Sequence, residues 1–301
     1  MDALYGQGKH HCLSRLKPRI IHRLLAAADF DVRTRHTQPV GFEEWLAAAG
    51  DLLLGASCHG CGQPWWGLCT RCRQEIGSRT PFVTMPFPCP DGFPVTVSSS
   101  PYDRLLRRVI NAHKERQALI LTRFLAERLA LSAQTLLVEQ TYTARVNKII
   151  LVPVPSAARA VRQRGFDATY AMARLAARRL RVRYPITVRS ALAQAREVAD
   201  QAGLGARARQ QNLAGAFRLR RPLRTDAAVI VVDDLVTTGS SLTEGARVLR
   251  KAGIQVLGAA TVAATLRRQP PHLGLKSVAP RGSAGRTENS VRIIRTRRNT
   301  R

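Results

Sequence analysis

The stretch AAVIVVDDLVTTGSSLTEGARVLRKAGIQVLGAATVAATL, residues 227–266, decides the fold. It begins with an apolar, β-branched run that leads into two adjacent acids, Asp233 and Asp234. A helical pattern follows and stops at Gly253, a usual helix terminator, before a second apolar run at 255–266. Strand, helix and strand at this pitch predict a crossover in a parallel sheet flanked by helices, which is an α/β fold.

A turn of small residues separates the two acids from the helix. It consists of Thr237, Thr238, Gly239, Ser240 and Ser241. The turn falls at the carboxyl end of a parallel strand, where open α/β sheets bind their ligands. Small residues let several backbone N–H groups converge, and the start of the helix adds its positive end, so the sequence predicts a phosphate-binding turn. Ser241 and Glu244 also fit a capping box, which would serve helix initiation alone.

The two acids distinguish this turn from an ordinary nucleotide loop. Carboxylates repel a phosphate unless they face another group, and vicinal sugar hydroxyls or a bridging Mg²⁺ would suit them. A phosphate on the turn and hydroxyls on the acids together describe a ribose 5-phosphate. Neither the G-x-x-x-x-G-K-[ST] pattern nor the G-x-G-x-x-G pattern of other nucleotide-binding loops occurs in the chain.

Four of the six cysteines lie in CHGCGQPWWGLCTRC, residues 58–72, as two C-x-x-C pairs. Four thiolates at this spacing suit one tetrahedral Zn²⁺, and the alternatives are incidental thiols or paired disulfides. Four protein ligands leave no open position for catalysis, so the zinc is expected to be structural. Trp65 and Trp66, between the pairs, either cover the metal or stack on a nucleobase. The predicted ligands are Cys58, Cys61, Cys69 and Cys72.

The chain is expected to divide into four segments. Residues 1–40 form a basic flexible extension, 41–95 hold a short helix and the zinc knuckle, 96–266 form the α/β domain, and 267–301 form a basic disordered tail. The net charge of +28 attracts phosphates on nucleotides, nucleic acid or membrane surfaces. No apolar run approaches the ~20 residues of a membrane span, and the first residues lack a secretory signal pattern, so a cytoplasmic location is expected.

Hydrophobic periodicity places further elements around the deciding stretch. Helices are predicted over 105–114, 119–137 and 167–180, and a buried strand stopped by proline is predicted at 147–156. The polar segment 187–217 is predicted to be a mobile loop with a short helix.

The segment VVDDLVTTGSSL, residues 231–242, resembles the phosphoribosyl-pyrophosphate (PRPP) binding motif of type I phosphoribosyltransferases. Within that group the chain is most similar to the ComF family, also called the ComFC or GntX-like family, which is associated with competence. The four-cysteine knuckle, YDRLLRRVINAHK ending at Lys114, LVPVPS before RQRGF, and RQQNLAGAF at 209–217 also carry the resemblance. It covers about residues 50–266 and implies a type I phosphoribosyltransferase-like parallel sheet with a small N-terminal zinc-knuckle subdomain.

The resemblance also implies residue roles. Asp233 and Asp234 would hold the 2- and 3-hydroxyls of PRPP, the turn its 5-phosphate, and Mg²⁺ would accompany the pyrophosphate. The segment VPVPSAARAVRQRGF would form the pyrophosphate loop, and a hood at 196–212 would close over the site. Relatives show R-G-F-N-Q where this chain has RGFDA, with Asp167 in place of the asparagine. The arginines expected on the pyrophosphate side are Arg159, Arg162, Arg164, Arg207 and Arg209.

Two function classes remain open. In the first, the chain is a phosphoribosyltransferase for nucleotide salvage or DNA uptake: pyrophosphate leaves C1 of the ribose through an oxocarbenium-like state that the acids favour, and the acceptor is unidentified. In the second, it is a non-catalytic module of the competence machinery that uses the fold for ligand sensing. Its partners would then be single-stranded DNA or a DNA-uptake helicase, because excess arginine fits a nucleic-acid backbone.

Overall fold

In the computed structural model, the described residues are 56–140, 148–196, 213–223 and 226–266. The predicted extension at 1–40, the helix at 41–54 and the tail at 267–301 lie outside these residues, as does nearly all of the predicted hood. Within the described ranges, no helix combines the length and the apolar character needed to cross a bilayer.

The described helices follow the predicted pattern closely. The predicted helices correspond to α2, α3 and α5, and the helix after the phosphate-binding turn corresponds to α6. A 3₁₀ turn at Leu119–Leu121 leads into α3, where the sequence pattern predicted α-helix from the start. The helices are α1 (Thr70–Gly77), α2 (Arg104–Glu115), α3 (Thr122–Gln140), α4 (Ala158–Arg164), α5 (Ala168–Leu180) and α6 (Ser240–Lys251).

The described strands form two sheets. The main sheet has the order β1-β2-β8-β7-β3-β4, and the small sheet pairs β5 with β6. Only β1 runs antiparallel in the main sheet, against β2, so the predicted α/β fold with a mostly parallel sheet is confirmed. The strands are β1 (Phe82–Thr84), β2 (Thr96–Pro101), β3 (Ile149–Pro153), β4 (Ile186–Val188), β5 (Leu192–Gln194), β6 (Phe217–Leu219), β7 (Ala228–Val236) and β8 (Gln255–Ala264).

The main sheet separates two apolar cores. Successive side chains of a strand point to opposite faces, and β7 follows this rule. Ile230 and Val232 belong to the first core, which α2, α3 and α5 cover. Val229 and Val231 belong to the second core, which α6 covers. Because β7 is buried on both faces, its near-continuous apolar sequence predicted it well.

The predicted loop with a short helix at 187–217 was wrong at both of its ends. The structure has β4 and β5 at the beginning of this segment and β6 at its end, and β5 pairs antiparallel with β6. Each of these strands is only three residues long. The alternation of apolar and polar residues that predicts a strand is too short to recognise over that length.

The strand β2 was not predicted, because its sequence TVSSSP is polar. It is nevertheless buried within the sheet, between β1 and β8, and the hydroxyls of Thr96, Ser98 and Ser99 find partners there. Ser99 donates to the carbonyl of Val262 at 2.8 Å, and Thr96 donates to the carbonyl of Pro94 at 2.8 Å. These bonds offset the cost of removing the hydroxyls from water.

Arg128 links the zinc-knuckle segment to the main sheet. Its side chain is buried on α3 and donates to three backbone carbonyls, those of Gly77, Arg79 and Ser99. Gly77 ends α1, and Ser99 belongs to β2. The guanidinium fork therefore joins the helix that follows the knuckle to the sheet.

Candidate functional site

The carboxyl ends of four parallel strands meet at one edge of the main sheet. β2 ends at Pro101, β3 at Pro153, β7 at Val236 and β8 at Ala264. Pro101 pairs in register with Ala264, and Val236 pairs with Ala264 from the other side. The loops after these strands are the ones that open parallel sheets use for ligands, so this edge is the candidate site.

The predicted phosphate-binding turn lies at this edge, after β7. Gly239 has a φ of 74° and is the N-cap residue of α6. A Cβ at Gly239 would stand 2.6 Å from the Phe93 ring and 2.8 Å from Pro86, so glycine is required both by conformation and by space. Phe93 and Pro86 come from the connector after β1, which packs beneath the turn.

The turn leaves the start of α6 without a side-chain cap. The predicted capping box is therefore wrong: Glu244 is bound instead by Arg247 at 2.7 and 2.8 Å. Thr238 and Ser240 are buried and share a hydrogen bond of 2.9 Å between their hydroxyls. The first amides of the helix have no competing side-chain acceptor and remain suited to an anion.

The two acids are not equivalent. Asp234 is 2% exposed, whereas Asp233 is half-buried. Asp234 forms an ion pair with Lys114, with 2.7 Å between Oδ2 and Nζ. Asp233 accepts a hydrogen bond from the backbone N–H of Asp234 through Oδ1 at 2.9 Å.

The ionisation of this cluster follows from burial and from the ion pair. Burial raises the pKa of Asp234, but the Lys114 ammonium outweighs it and holds that pKa below its usual value. Burial, together with the adjacent Asp234 carboxylate, raises the pKa of Asp233 well above its usual value. Burial lowers the pKa of Lys114, yet Asp234 and Asp233 reverse the direction and raise it. Lys114 and Asp234 are therefore both charged.

A buried histidine supports this cluster from the first core. His113 precedes Lys114 on α2, is 1% exposed and lies within hydrogen-bond distance of Thr122, with 2.9 Å between Nε2 and Oγ1. The ring of Phe166, from the RGF segment, meets the imidazole edge-on with 5.6 Å between ring centroids. Burial lowers the pKa of His113 to about 4, so the ring is neutral near neutral pH.

The sequence did not point to Lys114, Tyr102 or His113 as site residues. A weak signal was present, because the apolar spacing of α2 gives a buried face and Lys114 lies beside it, in the last turn. Tyr102 follows β2 at the same edge, and burial and then Asp234 raise the pKa of its hydroxyl. The residues that surround Lys114 and Tyr102 in the sequence do not reveal that Lys114 pairs with Asp234 or that Tyr102 lies at this edge.

Of the predicted pyrophosphate-side arginines, Arg164 is the one whose charge acts on Lys114 and His113. The predicted loop folds here as α4, and Arg164 at its end is half-buried, with Nε donating to the carbonyl of Ala160 at 3.0 Å. Its charge helps to lower the pKa of His113 and opposes the rise in the pKa of Lys114, which places it near both. Arg159 and Arg162 are exposed on α4. Arg207 and Arg209 lie outside the described residues.

Asp167, which departs from the pattern of relatives, has a local role. Its side chain caps α5 by accepting from the backbone N–H of Tyr170 at 3.1 Å. It also accepts from the hydroxyl of Ser156 at 3.2 Å, which ties the segment after β3 to the start of α5. Asp167 therefore stabilises the start of α5 and holds the preceding loop against it.

The donor set at the edge fits Mg²⁺ only in part. Lys114 already pairs with Oδ2 of Asp234, so Asp233 is the more open of the two carboxylates towards a cation or a hydroxyl. Because Mg²⁺ usually keeps several waters and binds through one or two carboxylates plus phosphate oxygens, the site suits an ion that a phosphorylated ligand brings with it.

The four predicted zinc ligands lie together. Their Sγ atoms are all within 4.8 Å of one another, and those of Cys61 and Cys69 are 3.8 Å apart. A tetrahedral ion with Zn–S bonds of ~2.3 Å separates its sulfurs by about 3.8 Å, so the set fits Zn²⁺. Burial raises the pKa of the Cys58 thiol, but N–H donors from Cys69, Cys61 and Gly60 outweigh it and lower that pKa to about 7.

The knuckle packs directly on α2. A Cβ at Gly60 would stand 2.8 Å from Leu105 and 2.9 Å from the sulfur of Cys72, so only glycine fits there. Trp65 is half-buried against the first core, which fits a covering role, whereas Trp66 is 56% exposed. The covering role therefore fits Trp65, and stacking of Trp66 on a nucleobase stays a prediction.

Comparison with known proteins agrees with the fold. The phosphoribosyl transferase domain family matches residues 168–279. The DNA utilization protein YhgH of Escherichia coli O6:H1 is 29% identical over 223 residues, 67% of this chain and 94% of the relative. The protein of the same name from Salmonella typhimurium is 26% identical over the same shares. That of Escherichia coli K12 is 43% identical over 63 residues, 21% of this chain and 27% of the relative. The chain is therefore similar to the YhgH proteins over about two thirds of its length and matches the phosphoribosyl transferase domain at residues 168–279, in agreement with the ComF-like resemblance of its sequence.

Proposed function

We propose that this chain binds PRPP, or another ribose 5-phosphate compound, together with Mg²⁺ at the carboxyl edge of its main sheet. The observation that carries the proposal is the pairing of an uncapped helix start at Gly239 with a partly open carboxylate at Asp233, on one strand end. The helix amides suit a phosphate, and the carboxylate suits a sugar hydroxyl.

In the proposed chemistry, the protein positions and stabilises rather than attacks. Asp233 and Asp234 hold the 2- and 3-hydroxyls and favour the positive charge that develops at C1 as pyrophosphate departs. Arg164 faces the departing anion from the segment after β3. Mg²⁺, when bound, neutralises charge on the pyrophosphate oxygens. Two roles remain predictions: transfer to an unidentified acceptor, and binding without turnover.

Calorimetric titration of the full chain with PRPP and Mg²⁺ tests binding. Asp234→Ala is expected to weaken PRPP binding by about ten-fold or more, since it removes a hydroxyl acceptor and leaves Lys114 without its partner. Glu75→Gln removes an exposed carboxylate on α1 and is the matched control, expected to bind like wild type. Unchanged affinity in Asp234→Ala would show that the acids are not at the ligand. Pyrophosphate release with candidate acceptors then separates turnover from binding alone.

The cellular setting follows from the relatives. Because they carry the name DNA utilization protein, we infer a role in nucleotide salvage or DNA uptake and competence for this chain. A cytoplasmic location belongs to the same proposal, since a zinc site of four thiolates is typical of a reducing compartment.

A second candidate function, contact with single-stranded DNA, has its own supporting observation. The face of α5 and the following turn expose a run of cations. Such a surface suits a phosphate backbone, and a DNA-uptake helicase remains a predicted partner beside the DNA itself. If the candidate is right, binding of a labelled oligonucleotide weakens steeply with added salt; a flat salt response contradicts it. The residues are Arg174, Arg178, Arg179, Arg181 and Arg183.

A further inference from the structure

The carboxyl edge contains an electrostatic conflict. Two adjacent carboxylates, Asp233 and Asp234, lie near the end of β7, with Leu235 and Val236 between them and the turn that is suited to a phosphate. A ligand that carries phosphate would be repelled by two uncompensated negative charges at this distance, in a site where Asp234 is 2% exposed. Some positive group must therefore stand with the acids before an anionic ligand can approach.

Lys114 is the cation that meets this need. Its Nζ lies 2.7 Å from Oδ2 of Asp234, and its side chain keeps 30% of its exposure, so the ammonium is at the border between the core and the cleft. The lysine does not belong to β7 or to the turn after it. It reaches the acids from α2, more than a hundred residues earlier in the chain.

The position of Lys114 is fixed by the helix that carries it. Leu106, Val109, Ile110, Ala112 and His113 form the buried face of α2. The bond between His113 and Thr122, and the edge contact of Phe166 on the imidazole, hold the last turn of the helix against the sheet. Lys114 follows directly and is therefore presented to Asp234 by a rigid element.

The other charged and titratable groups around Asp234 do not replace this cation. Asp233 adds a second carboxyl group from β7, Tyr102 adds a phenol after β2, and His113 is buried and neutral. Arg164 contributes a positive charge from the end of α4, on the side expected to face the departing anion, and forms no ion pair with Asp234 among the contacts of the described residues.

We propose that Lys114 is a positioning residue of the ligand site: by pairing with Asp234 it neutralises one of the two adjacent carboxylates and holds it in place, so that a phosphorylated ribose with a free diol can settle between the acids and the turn at Gly239. The inference rests on the proposed function and names the residue that reconciles the acids with an anionic ligand. Lys114 acts through Asp234.

The test compares charge variants of the full chain in calorimetric titrations with ribose 5-phosphate and Mg²⁺. Lys114→Met is expected to weaken binding by about ten-fold or more, because the two acids then repel the phosphate. Lys114→Arg keeps the charge and should stay within about three-fold of wild type. Lys251→Met removes an exposed lysine at the far end of α6, and as the matched control it should bind like wild type.

The double variant Lys114→Met/Asp234→Asn separates charge balance from structure. Asparagine keeps an oxygen acceptor but removes the negative charge, so the double variant should bind more tightly than Lys114→Met alone. If Lys114 served only to hold the fold, the second change would not restore binding. Denaturant unfolding of each variant, run in parallel, shows that the proteins compared are folded.

The outcomes distinguish this inference from the proposed function. Wild-type affinity in Lys114→Met overturns the inference and leaves the proposed function standing, provided that wild type binds ribose 5-phosphate. Equal losses in Lys114→Met, Lys114→Arg and the double variant also overturn it, in favour of a structural role. Absence of wild-type binding to ribose 5-phosphate and to PRPP alike overturns the proposed function, and this inference with it.

Discussion

The four-cysteine knuckle and the site at the carboxyl edge of the main sheet differ in where their side chains come from and in how open they are to a ligand. The four cysteines of the knuckle, which could hold a metal, all come from residues 58–72, and a divalent ion bound by four thiolates would have no position for a further ligand. The edge site draws its groups from α2, the segment after β3 and the end of β7, and leaves helix amides and Asp233 open. A structural site is closed and local, whereas a binding site is assembled from distant segments and left incomplete.

Breaking the knuckle should produce the largest effect. Cys72 is buried at the start of α1, and Cys72→Ser should abolish stoichiometric zinc binding and lower the free energy of unfolding by more than about 3 kcal/mol. Metal analysis and urea denaturation measure the two effects. Arg71→Ala changes the exposed neighbour and should keep both properties. Full stability of Cys72→Ser without zinc would show that the knuckle is not a metal-dependent element.

The hydrogen bonds that join the knuckle segment to the main sheet can be removed without changing a cysteine or an acid. Arg128→Met removes the donors to Gly77, Arg79 and Ser99 and leaves three carbonyls unpaired, at a cost of about 3 kcal/mol in unfolding free energy. Zinc stoichiometry should be unchanged, because no ligand is touched. Urea denaturation together with metal analysis checks both expectations, and loss of zinc in this variant would mean that the knuckle depends on the sheet for its metal.

Substitution of Gly239 tests the phosphate-binding turn at the carboxyl edge of the main sheet. Gly239→Ala forces a non-glycine residue to a φ of 74° and pushes its Cβ against Phe93, which should cost about 2 kcal/mol. Ribose 5-phosphate affinity should fall as well, since the amides of the turn are displaced. Calorimetry and denaturation give the two values. Gly77→Ala, where a Cβ meets nothing within 4 Å, is the matched control and should preserve ligand affinity.

The smallest effect near neutral pH concerns His113. Burial lowers its pKa from 6.5 to about 4, so the unfolded chain takes up a proton at a higher pH than the folded one. Its contribution to stability is complete above pH 6.5 and is lost as the pH falls towards about 4, by about 3 kcal/mol in the limit. His113→Gln cannot titrate, so its unfolding free energy should decline less over this range than that of wild type. Denaturation at a series of pH values measures the difference, and parallel pH curves would contradict it.

The predictability of the two regions from sequence differs for a physical reason. The knuckle and the turn after β7 are local patterns, and their ligands or amides come from consecutive residues, so the sequence placed them correctly. Lys114 pairs with an acid far away in the chain, and that partnership depends on how α2 packs. β2 was missed because its sequence is polar, and the groups that bond the hydroxyls of Ser98 and Ser99 come from β8, far along the chain, where no local pattern reveals them.

The connector between the knuckle and the sheet has a consequence for any attempt to separate the two. β1 covers the edge of β2, and Phe93 fills the space below Gly239. A fragment that starts at residue 96, at the predicted boundary, would expose a bare strand edge prone to self-association and would hollow out the floor of the turn. The four-cysteine segment and the main sheet are therefore best purified and crystallised together, in a single polypeptide.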